Sequence, residues 1–293
     1  LADGHYGWAM TVKLGATASL ANTFLYANRE IGLFIGGAAQ VSATDIVIQN
    51  MQGNADGRGG RAINVQSGSS VTLSRVLLDW SRDVGMSLSD AGTTVSATDV
   101  VIQNTQSEAN GSNGRGLNVQ KGAALNLSRA FLDGNRDVGV FVGGIGSQMA
   151  ASGVVIQNTK VAACAEDPLL ECPYIGAGLG DGMLVLGGVD ISLENFALQD
   201  NARVALYLYD VTGTDYEDLV VNPITGAPTI TAENGTIVNN QYGINIRGDS
   251  VTPSDFTMVA CYDNEKTVDG CYSEMDLAVP DPSELISEIS SLD

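Results

Sequence analysis

Two carboxylates stand out as groups that could cleave a glycosidic bond, Asp137 and Asp181. An inverting hydrolase needs two carboxyl groups about 6.5–9.5 Å apart, one to protonate the leaving oxygen and one to activate water. Both aspartates lie beside a glycine that opens an alternating apolar segment, in "NRDVGVFVGG" and "GDGMLVLGG". Placed two turns of a repeat apart, they would be separated by about 9.6 Å. Glu30 and Asp83 repeat the Asp137 environment, so catalysis by this pair is the weaker alternative.

A second group of acids could bind calcium, which prefers carboxylate oxygens. These acids lie in the segment from Lys160 to Asp181, which is longer by 12 residues than the matching segment from Asn104 to Gly116. Insertions in repeat proteins often form binding loops, although a purely structural loop explains this one equally well. The sequence therefore predicts no cofactor and no metal, with calcium at Glu166, Asp167 and Asp181 as the alternative.

A third set of residues could hold a sugar without cleaving it. The outward positions of the first strand of each repeat contain no acid or base, and such a groove can bind but has no general acid or base of its own. These positions are Thr11, Phe34, Asn64, Ser87, Asn118, Phe141, Leu184, Tyr207 and Asn245. The candidate binding residues are Phe34, Asn64, Asn118, Phe141, Tyr207 and Tyr209. Packing of the aromatic rings beneath loops is the favoured alternative, because large apolar patches are rarely left open.

The four cysteines form two local pairs in polar, turn-rich segments, Cys164 with Cys172 and Cys261 with Cys271. Four cysteines allow three pairings, and two short closed loops are the simplest of them. This interpretation predicts two disulfides and an oxidising compartment. Zinc is the alternative, but the spacing is not C-x-x-C and the single histidine, His5, is far away in sequence.

The charge restricts the partners of the chain. Its 34 acids and 14 bases give a net charge of −20, which disfavours nucleic acid and anionic membrane surfaces and favours cations or neutral glycans. No run of 18 apolar residues is present, so we expect no membrane span. The sequence opens at Leu1 rather than Met, and we expect a mature form or a fragment of a secreted or cell-surface protein.

The elements that position these residues repeat along the chain. "VSATDIVIQN" from Val41 returns as "VSATDVVIQN" 54 residues later, and "GRAINVQSG" from Gly60 returns as "GRGLNVQKG" at the same shift. Within each long period is a weaker one of 23 residues, and each unit reads as a short strand, a glycine turn, a second strand and an Asn-rich corner. Such units cannot bury their apolar side alone and must stack on their neighbours. This pattern predicts an all-β, single-domain parallel β-helix.

The strand cores predict about nine coils, or a rod about 43 Å long at ~4.8 Å per coil. They are centred on Met10, Leu33, Ile63, Met86, Leu117, Val140, Met183, Leu206 and Ile244. Alternation assigns pairs such as Ile63 with Val65 and Leu117 with Val119 to the core.

Asparagines mark the corners between coils. Asn28, Asn135, Asn201, Asn240 and Asn264 precede new strands, and Asn50, Asn104 and Asn158 are assigned to the matching place in intervening coils. Asparagine tolerates a left-handed corner, and its amide can bond to the same amide one coil above. We expect a structural ladder, with a row of glycan-binding amides as the alternative.

Arginine and an acid follow the corner as Arg29 with Glu30, Arg82 with Asp83 and Arg136 with Asp137. We expect exposed neighbouring charges here, worth only ~0–1 kcal/mol per pair. The glycines that follow, at 32, 85, 116, 139, 182 and 243, are expected where backbones stack closely.

From Gly7 to about Asn264 the chain resembles the right-handed parallel β-helix repeat proteins of the pectin-lyase-like superfamily. "NRDVGVFVGG" and "GRGLNVQKGAALNLSRAFLDGNRDVG" are most similar to secreted, cell-surface β-helix proteins of myxobacteria and their relatives. The resemblance implies an extracellular rod, in a superfamily that includes lyases, hydrolases and adhesins. Its polygalacturonase-like members carry D-D, G-H-G and R-I-K motifs, which this sequence lacks, so whether it is an enzyme stays open, with a non-enzyme favoured.

The sequence thus predicts a β-helix over residues 1–279, with an insert loop over 160–181 and a C-terminal capping helix over 280–293 that begins at Asp281. The first coil has no comparable cap, so we expect an oligomer or end-to-end assembly. The predicted function is a non-enzymatic extracellular rod for adhesion, assembly or glycan contact, whose partner is a glycan or another surface protein. A polysaccharide lyase or glycoside hydrolase is the alternative.

Overall fold

The computed structural model describes residues 7–166, 179–210, 226–266 and 271–273 of the chain. In chain order its elements are β1 (Met10–Val12), β2 (Thr17–Tyr26), β3 (Ile31–Ile35), β4 (Gln40–Gln49), β5 (Arg61–Val65), β6 (Ser70–Asp79), β7 (Val84–Leu88), β8 (Thr94–Gln103), β9 (Arg115–Gln120), β10 (Ala124–Asp133), β11 (Val138–Gly143), β12 (Gln148–Gln157), α1 (Ala163–Glu166), β13 (Asp181–Leu186), β14 (Asp190–Gln199), β15 (Val204–Tyr209), β16 (Thr229–Glu233), β17 (Thr236–Val238), β18 (Tyr242–Arg247), β19 (Phe256–Thr257), β20 (Ala260–Tyr262) and β21 (Tyr272–Ser273). A 3₁₀ turn spans Pro253–Asp255.

Two parallel sheets run the length of the described chain. The first has the order β1-β3-β5-β7-β9-β11-β13-β15-β18-β21, and the second β19-β16-β14-β12-β10-β8-β6-β4-β2, with β17 and β20 beside it. Each coil gives a short strand to the first sheet and a long strand to the second, which confirms the predicted parallel β-helix. Right-handed coiling is the sense expected for crossovers between parallel strands of one sheet.

The predicted strand cores stack in register. Met10, Leu33, Ile63, Met86, Leu117, Val140, Met183, Leu206 and Ile244 are successive partners across the first sheet. Tyr272 is the next partner after Ile244, so the described part of this sheet has ten strands where nine were expected. The inward column also contains Val65 and Val119, both fully buried, which confirms the predicted direction of these side chains.

Each long strand bends at one residue with a left-handed backbone. Asp45, Arg75, Asp99 and Arg129 hold this place with φ of 57°, 54°, 57° and 52°. The left-handed residue reverses the inward and outward alternation, so that the inward positions change from odd to even residue numbers across each bend of β4. The predicted second strand is therefore two strands joined by a corner. The rod has a first face (the outer side of the first sheet), a second face (the first halves of the long strands) and a third face (their second halves).

Two adjacent columns divide the work that the sequence assigns to one row of corner asparagines. Asn50, Asn104 and Asn158 have φ of 58°, 55° and 53° and form the left-handed corner. The ladder column lies one residue later, where Arg82 pairs with Gln106 and Arg136 with Lys160 across coils. The assignment of Asn50, Asn104 and Asn158 to the ladder is therefore wrong by one residue.

The ladder column itself is buried and continuous near the C-terminal end of the rod. Asn201 donates its side-chain N–H to Asn240 Oδ1 at 3.0 Å, and Asn240 donates to Asn264 Oδ1 at 3.1 Å. Asn201 and Asn240 are 3% and 1% exposed, so they cannot serve as a surface row of amides for a glycan.

We expect Asn240→Ala to lower the free energy of unfolding by about 1–3 kcal/mol, because it leaves buried partners on both neighbouring coils without a hydrogen bond. Its amide also donates to the carbonyl of Leu198, at 3.1 Å. Urea unfolding followed by circular dichroism measures the change. The exposed Asn126→Ala is the control, and equal stability of both variants would contradict a structural ladder.

Close stacking explains the glycine after each acid. A Cβ placed on Gly139 would lie 2.6 Å from the carbonyl oxygen of Gly182 and 2.5 Å from Ile156 Cγ2. Both distances are shorter than a carbon atom tolerates, so the backbone of the next coil occupies the space of a side chain.

The cysteines agree with the predicted pairing as far as they are described. Cys261 and Cys271 form a disulfide that closes a ten-residue separation. Cys164 is also disulfide-bonded, and Cys172 lies outside the described residues. The predicted capping helix at 280–293 and the first six residues lie outside them too, so the domain boundaries stay a prediction. In the described ranges, no helix has the length and apolar content to cross a bilayer.

Candidate functional site

The acids of the repeated motif are buried ion pairs, which corrects the expectation of exposed corner charges. Asp83 accepts from Arg61 Nε at 2.7 Å, and Asp137 accepts from Arg115 Nε at 2.9 Å. Both aspartates are at most 2% exposed and Arg115 is fully buried. The ionic partner of Asp137 is thus 22 residues earlier in the chain, whereas its neighbour Arg136 donates to the carbonyl of Val161.

These pairs repeat every two coils on the first face. Trp8 Nε1 donates to Glu30 Oε2 at 3.0 Å in the place where arginine pairs with aspartate in the next two units. In the fourth unit the polarity is reversed, because Asp181 stands at the arginine position and Arg203, 2.6 Å away, at the acid position. An interaction that survives reversal of its charges serves to pin neighbouring coils together. The pattern is that of an architectural contact.

Asp137 and Asp181 lie on neighbouring coils, not two coils apart as the sequence analysis expected. Val138 is the register partner of Asp181, and the Asp181 N–H donates to the Asp137 carbonyl at 3.0 Å. Burial raises the pKa of the Asp181 carboxyl, and the interactions with Arg203 offset this only in part. Each carboxylate is held by its own arginine in a closed position, where a hydrolytic water has no room beside it.

The candidate sugar-binding residues are also buried on the first face. Phe34, Phe141 and Tyr207 are 4%, 0% and 0% exposed, and Tyr209 is half-buried. Phe34 stacks on Trp8 with ring centroids 4.7 Å apart, and burial raises the pKa of Tyr207 to about 12. The rings are packed, so a binding role for them stays a prediction.

The amides of the same face differ in how well they are satisfied. Asn64 Oδ1 accepts from Arg61 Nη1 at 3.1 Å and its amide donates to Gln66 Oε1. Asn118 and Gln120 are fully buried, and within the described part of the chain their side-chain atoms have no hydrogen-bond partner. Unpaired buried amides are rare, and water or a polar ligand group would satisfy these two.

No metal centre is assembled in the described ranges, where no three His, Cys, Asp or Glu side chains lie close enough to hold an ion. Of the calcium candidates, Asp181 is paired with Arg203, Glu166 ends α1, and Asp167 lies outside the described residues. A calcium site in the insert therefore stays a prediction.

The second face carries an open groove lined by hydroxyl and amide groups. Because consecutive coils are in register, the outward side chains of β8, β10, β12, β14 and β16 form straight columns. The central column is Ser96, Asn126, Ala150, Ser192 and Thr231, beside a second column of Thr98, Ser128, Ser152 and Glu194. Two adjoining cavities of about 250 and 390 Å³ share Asn126, Ala150 and Ser192. They form one shallow groove, which we call the hydroxyl groove.

The chemistry of the hydroxyl groove is that of hydrogen bonding to a polyol. Serine and threonine hydroxyls donate and accept, and asparagine does both through its amide. Five strands at ~4.8 Å span about 19 Å, long enough for several sugar rings. Acids enter only at one end, where Asp190 accepts from Thr229 Oγ1 at 2.6 Å and Glu194 is the register partner of Glu233.

Sequence reasoning missed this groove, although a signal was present. The segments "VSATD", "VTLSR", "LNLSR" and "MAASG" share an apolar, polar, apolar, polar order at matching places in successive coils. Aligning the outward positions coil by coil would have shown columns of serine, threonine and asparagine.

Comparisons with known proteins identify no family for this chain. No protein-family model matches it, and no curated protein matches it. A crystal structure of a double mutant of the periplasmic alginate epimerase AlgG is 11% identical with a TM-score of 0.41, covering 90% of this chain and 73% of the epimerase. Another crystal structure of this epimerase is 13% identical with a TM-score of 0.28, covering 90% and 76%. At these values the likeness supports no inference about activity or substrate.

Proposed function

We propose that this protein is an extracellular β-helical rod that binds a neutral glycan along the hydroxyl groove and does not cleave it. The observation that carries the proposal is the groove itself, an exposed, straight array of hydroxyl and amide groups that repeats with the coils. The net charge of −20 disfavours acidic polysaccharides, because like charges repel. Disulfide-bonded cysteines are typical of secreted proteins, and the resemblance to secreted cell-surface β-helix proteins agrees with this location.

Binding in this groove would depend on repetition. Each exposed hydrogen bond contributes little, since it replaces one to water. A polymer that engages several coils at once gains from effective concentration, so affinity should rise steeply with chain length. This behaviour suits adhesion to a polymeric surface.

The test is affinity electrophoresis through gels that contain soluble β-glucan, xyloglucan or galactomannan, with polygalacturonate as the acidic comparison. We expect retardation by at least one neutral polysaccharide and none by polygalacturonate. Ala150→Trp fills the centre of the groove and should abolish retardation. Ala21→Trp, an exposed outward position on the same face beyond the groove, should leave it unchanged. Free migration in all neutral gels, or equal loss in both variants, would refute the proposal.

A polysaccharide hydrolase or lyase is the second candidate, and one observation favours it. Glu194 and Glu233 are exposed register partners at the end of the groove, and carboxyl groups about 5 Å apart suit a retaining hydrolase. Reducing-end and unsaturated-product assays on the same polysaccharides decide between the two. Product release that is lost in Glu194→Gln combined with Glu233→Gln would establish the enzyme. Loss in Asp137→Asn combined with Asp181→Asn would point to the first face instead.

A further inference from the structure

The third face carries an exposed apolar column. Phe24, Val47, Leu77, Val101, Phe131 and Val155 are successive register partners and point outward. Phe24 is 62% exposed, and the other five are half-buried only by their neighbours in the column. At ~4.8 Å per coil the column is about 24 Å long. A continuous apolar stripe of this kind is typical of a surface that meets another protein.

Charged and polar columns flank the apolar column on both sides. On one side lie the corner residues Asp45, Arg75, Asp99 and Arg129, whose charges alternate along the rod. They are 40–63% exposed and pair as Asp45 with Arg75 and Asp99 with Arg129. On the other side lies an alternation of amide and acid in Gln49, Asp79, Gln103 and Asp133.

Both alternations are complementary to themselves when the rod is reversed. A two-fold axis parallel to the strands and midway between β6 and β8 places each column opposite the same column of a second copy, running the other way. Asp45 then faces Arg129 of the second copy, and Arg75 faces Asp99. In the other column Asp79 faces Gln103 and Gln49 faces Asp133, so no acid meets an acid.

The apolar column is complementary under the same operation. Leu77 faces Val101 of the second copy, Val47 faces Phe131, and Phe24 faces Val155. A large side chain lies opposite a smaller one at each level, which is how facing layers fill space. This order follows from the two-coil repeat, because large residues occupy the odd coils and valine the even ones.

We propose that the third face binds a second copy of this chain in an antiparallel, side-by-side dimer about that axis. An interface of this type is isologous, with the same patch used on both copies. The proposal is independent of the glycan-binding function, because the hydroxyl groove lies on the neighbouring face and stays open in the dimer. It also differs from end-to-end assembly, which would use the ends of the rod.

Other arrangements fit the columns less well. A parallel dimer would set Phe24 against Phe24 and Val47 against Val47, leaving gaps between the valines. Moving the axis by one coil would place Arg75 opposite Gly153 and leave Phe24 without an apolar partner. The antiparallel register between β6 and β8 is the one that uses all four corner charges.

Sedimentation velocity on the full chain tests the dimer. We expect a dimer at micromolar concentration, tightened by moderate salt, which screens the repulsion between two chains of charge −20. Leu77→Lys should weaken dimerisation at least about 30-fold, since it puts a charge at the centre of the interface. Thr72→Lys, an exposed position of the same strand on the second face, should leave the dimer intact. A wild-type chain that is monomeric throughout would overturn the proposal, as would equal weakening by both variants.

Cysteine cross-linking tests the direction of the two rods without relying on a destabilised variant. In the antiparallel dimer, chains with Val47→Cys should form a disulfide with chains with Phe131→Cys, but Val47→Cys alone should not. Its two copies would be three coils, or about 14 Å, apart, too far for a disulfide. Cross-linking of Val47→Cys with itself, or failure of the mixed pair to cross-link, would overturn the antiparallel arrangement.

Discussion

Arg115→Met is expected to lower the free energy of unfolding by about 3–5 kcal/mol, the effect of leaving a buried charge without its partner. Arg115 has no exposed surface, and its Nε donates to Asp137 Oδ2 at 2.9 Å. Its guanidinium also lies over the Phe141 ring, 5.3 Å from the centroid. Methionine keeps much of the volume, so the loss measures the unpaired Asp137 carboxylate more than a cavity.

Two controls separate burial of the ion pair from loss of a positive charge. Arg129→Met removes an exposed arginine that pairs with Asp99 in a similar geometry, and its melting temperature should stay close to that of the wild type. Adding Asp137→Asn to Arg115→Met removes the uncompensated charge and should recover a large part of the loss. Asparagine tolerates the left-handed backbone that Asp137 adopts, with φ of 60°.

Guanidinium chloride unfolding of the three variants gives the comparison. If Arg115→Met unfolds at the wild-type midpoint, the pair contributes nothing to stability and the architectural interpretation of the repeated motif is wrong. If the double variant is no more stable than Arg115→Met, the damage comes from lost packing against Phe141 rather than from the Asp137 charge.

The strand cores could be predicted because two simple signals agree. Apolar alternation identifies inward residues such as Leu117 and Val140, and near-constant spacing brings them into one column. A coil-by-coil register is the direct consequence of a repeat whose units must stack. This is why the predicted strand cores lie opposite one another in the structure.

The ion pairs could not be predicted in the same way, because a sequence displays chain neighbours and not neighbours in adjacent coils. Arg136 and Asp137 are adjacent in the chain and suggest a surface pair. The partner of Asp137 is Arg115, one coil earlier, and this depends on where the strand starts. The acid turns toward the first face because its own φ is positive, which no periodicity reveals.

The same limit explains the corner and the groove. A left-handed residue such as Asp45 or Arg75 can be accommodated within a strand pattern without changing composition, but it reverses which side chains face out. Without that reversal, the serine and threonine columns of the second face and the apolar column of the third face cannot be assigned to separate surfaces. Both functional proposals depend on this one backbone feature.

Val119→Asp is the prediction that tests the assignment of inside and outside most directly. Val119 lies in β9 with no exposed surface, opposite Leu88 and Val142 of the neighbouring coils. An aspartate there would bury a carboxylate among apolar side chains with no arginine in the inward column. Burial of an unpaired charge, together with the lost packing, should lower the free energy of unfolding by about 4 kcal/mol or more.

Thr98→Asp is the matched control, because threonine has the shape of valine and Thr98 points outward into the hydroxyl groove. It should melt within a few degrees of the wild type, while Val119→Asp should lose its thermal transition or melt far lower. Neighbouring coils share one core, so a defect at Val119 weakens contacts with coils on both sides and should reduce the yield of secreted protein as well. A Val119→Asp variant that melts like Thr98→Asp would mean that the column from Leu88 through Val142 faces solvent, and the core of the β-helix would have to be reassigned.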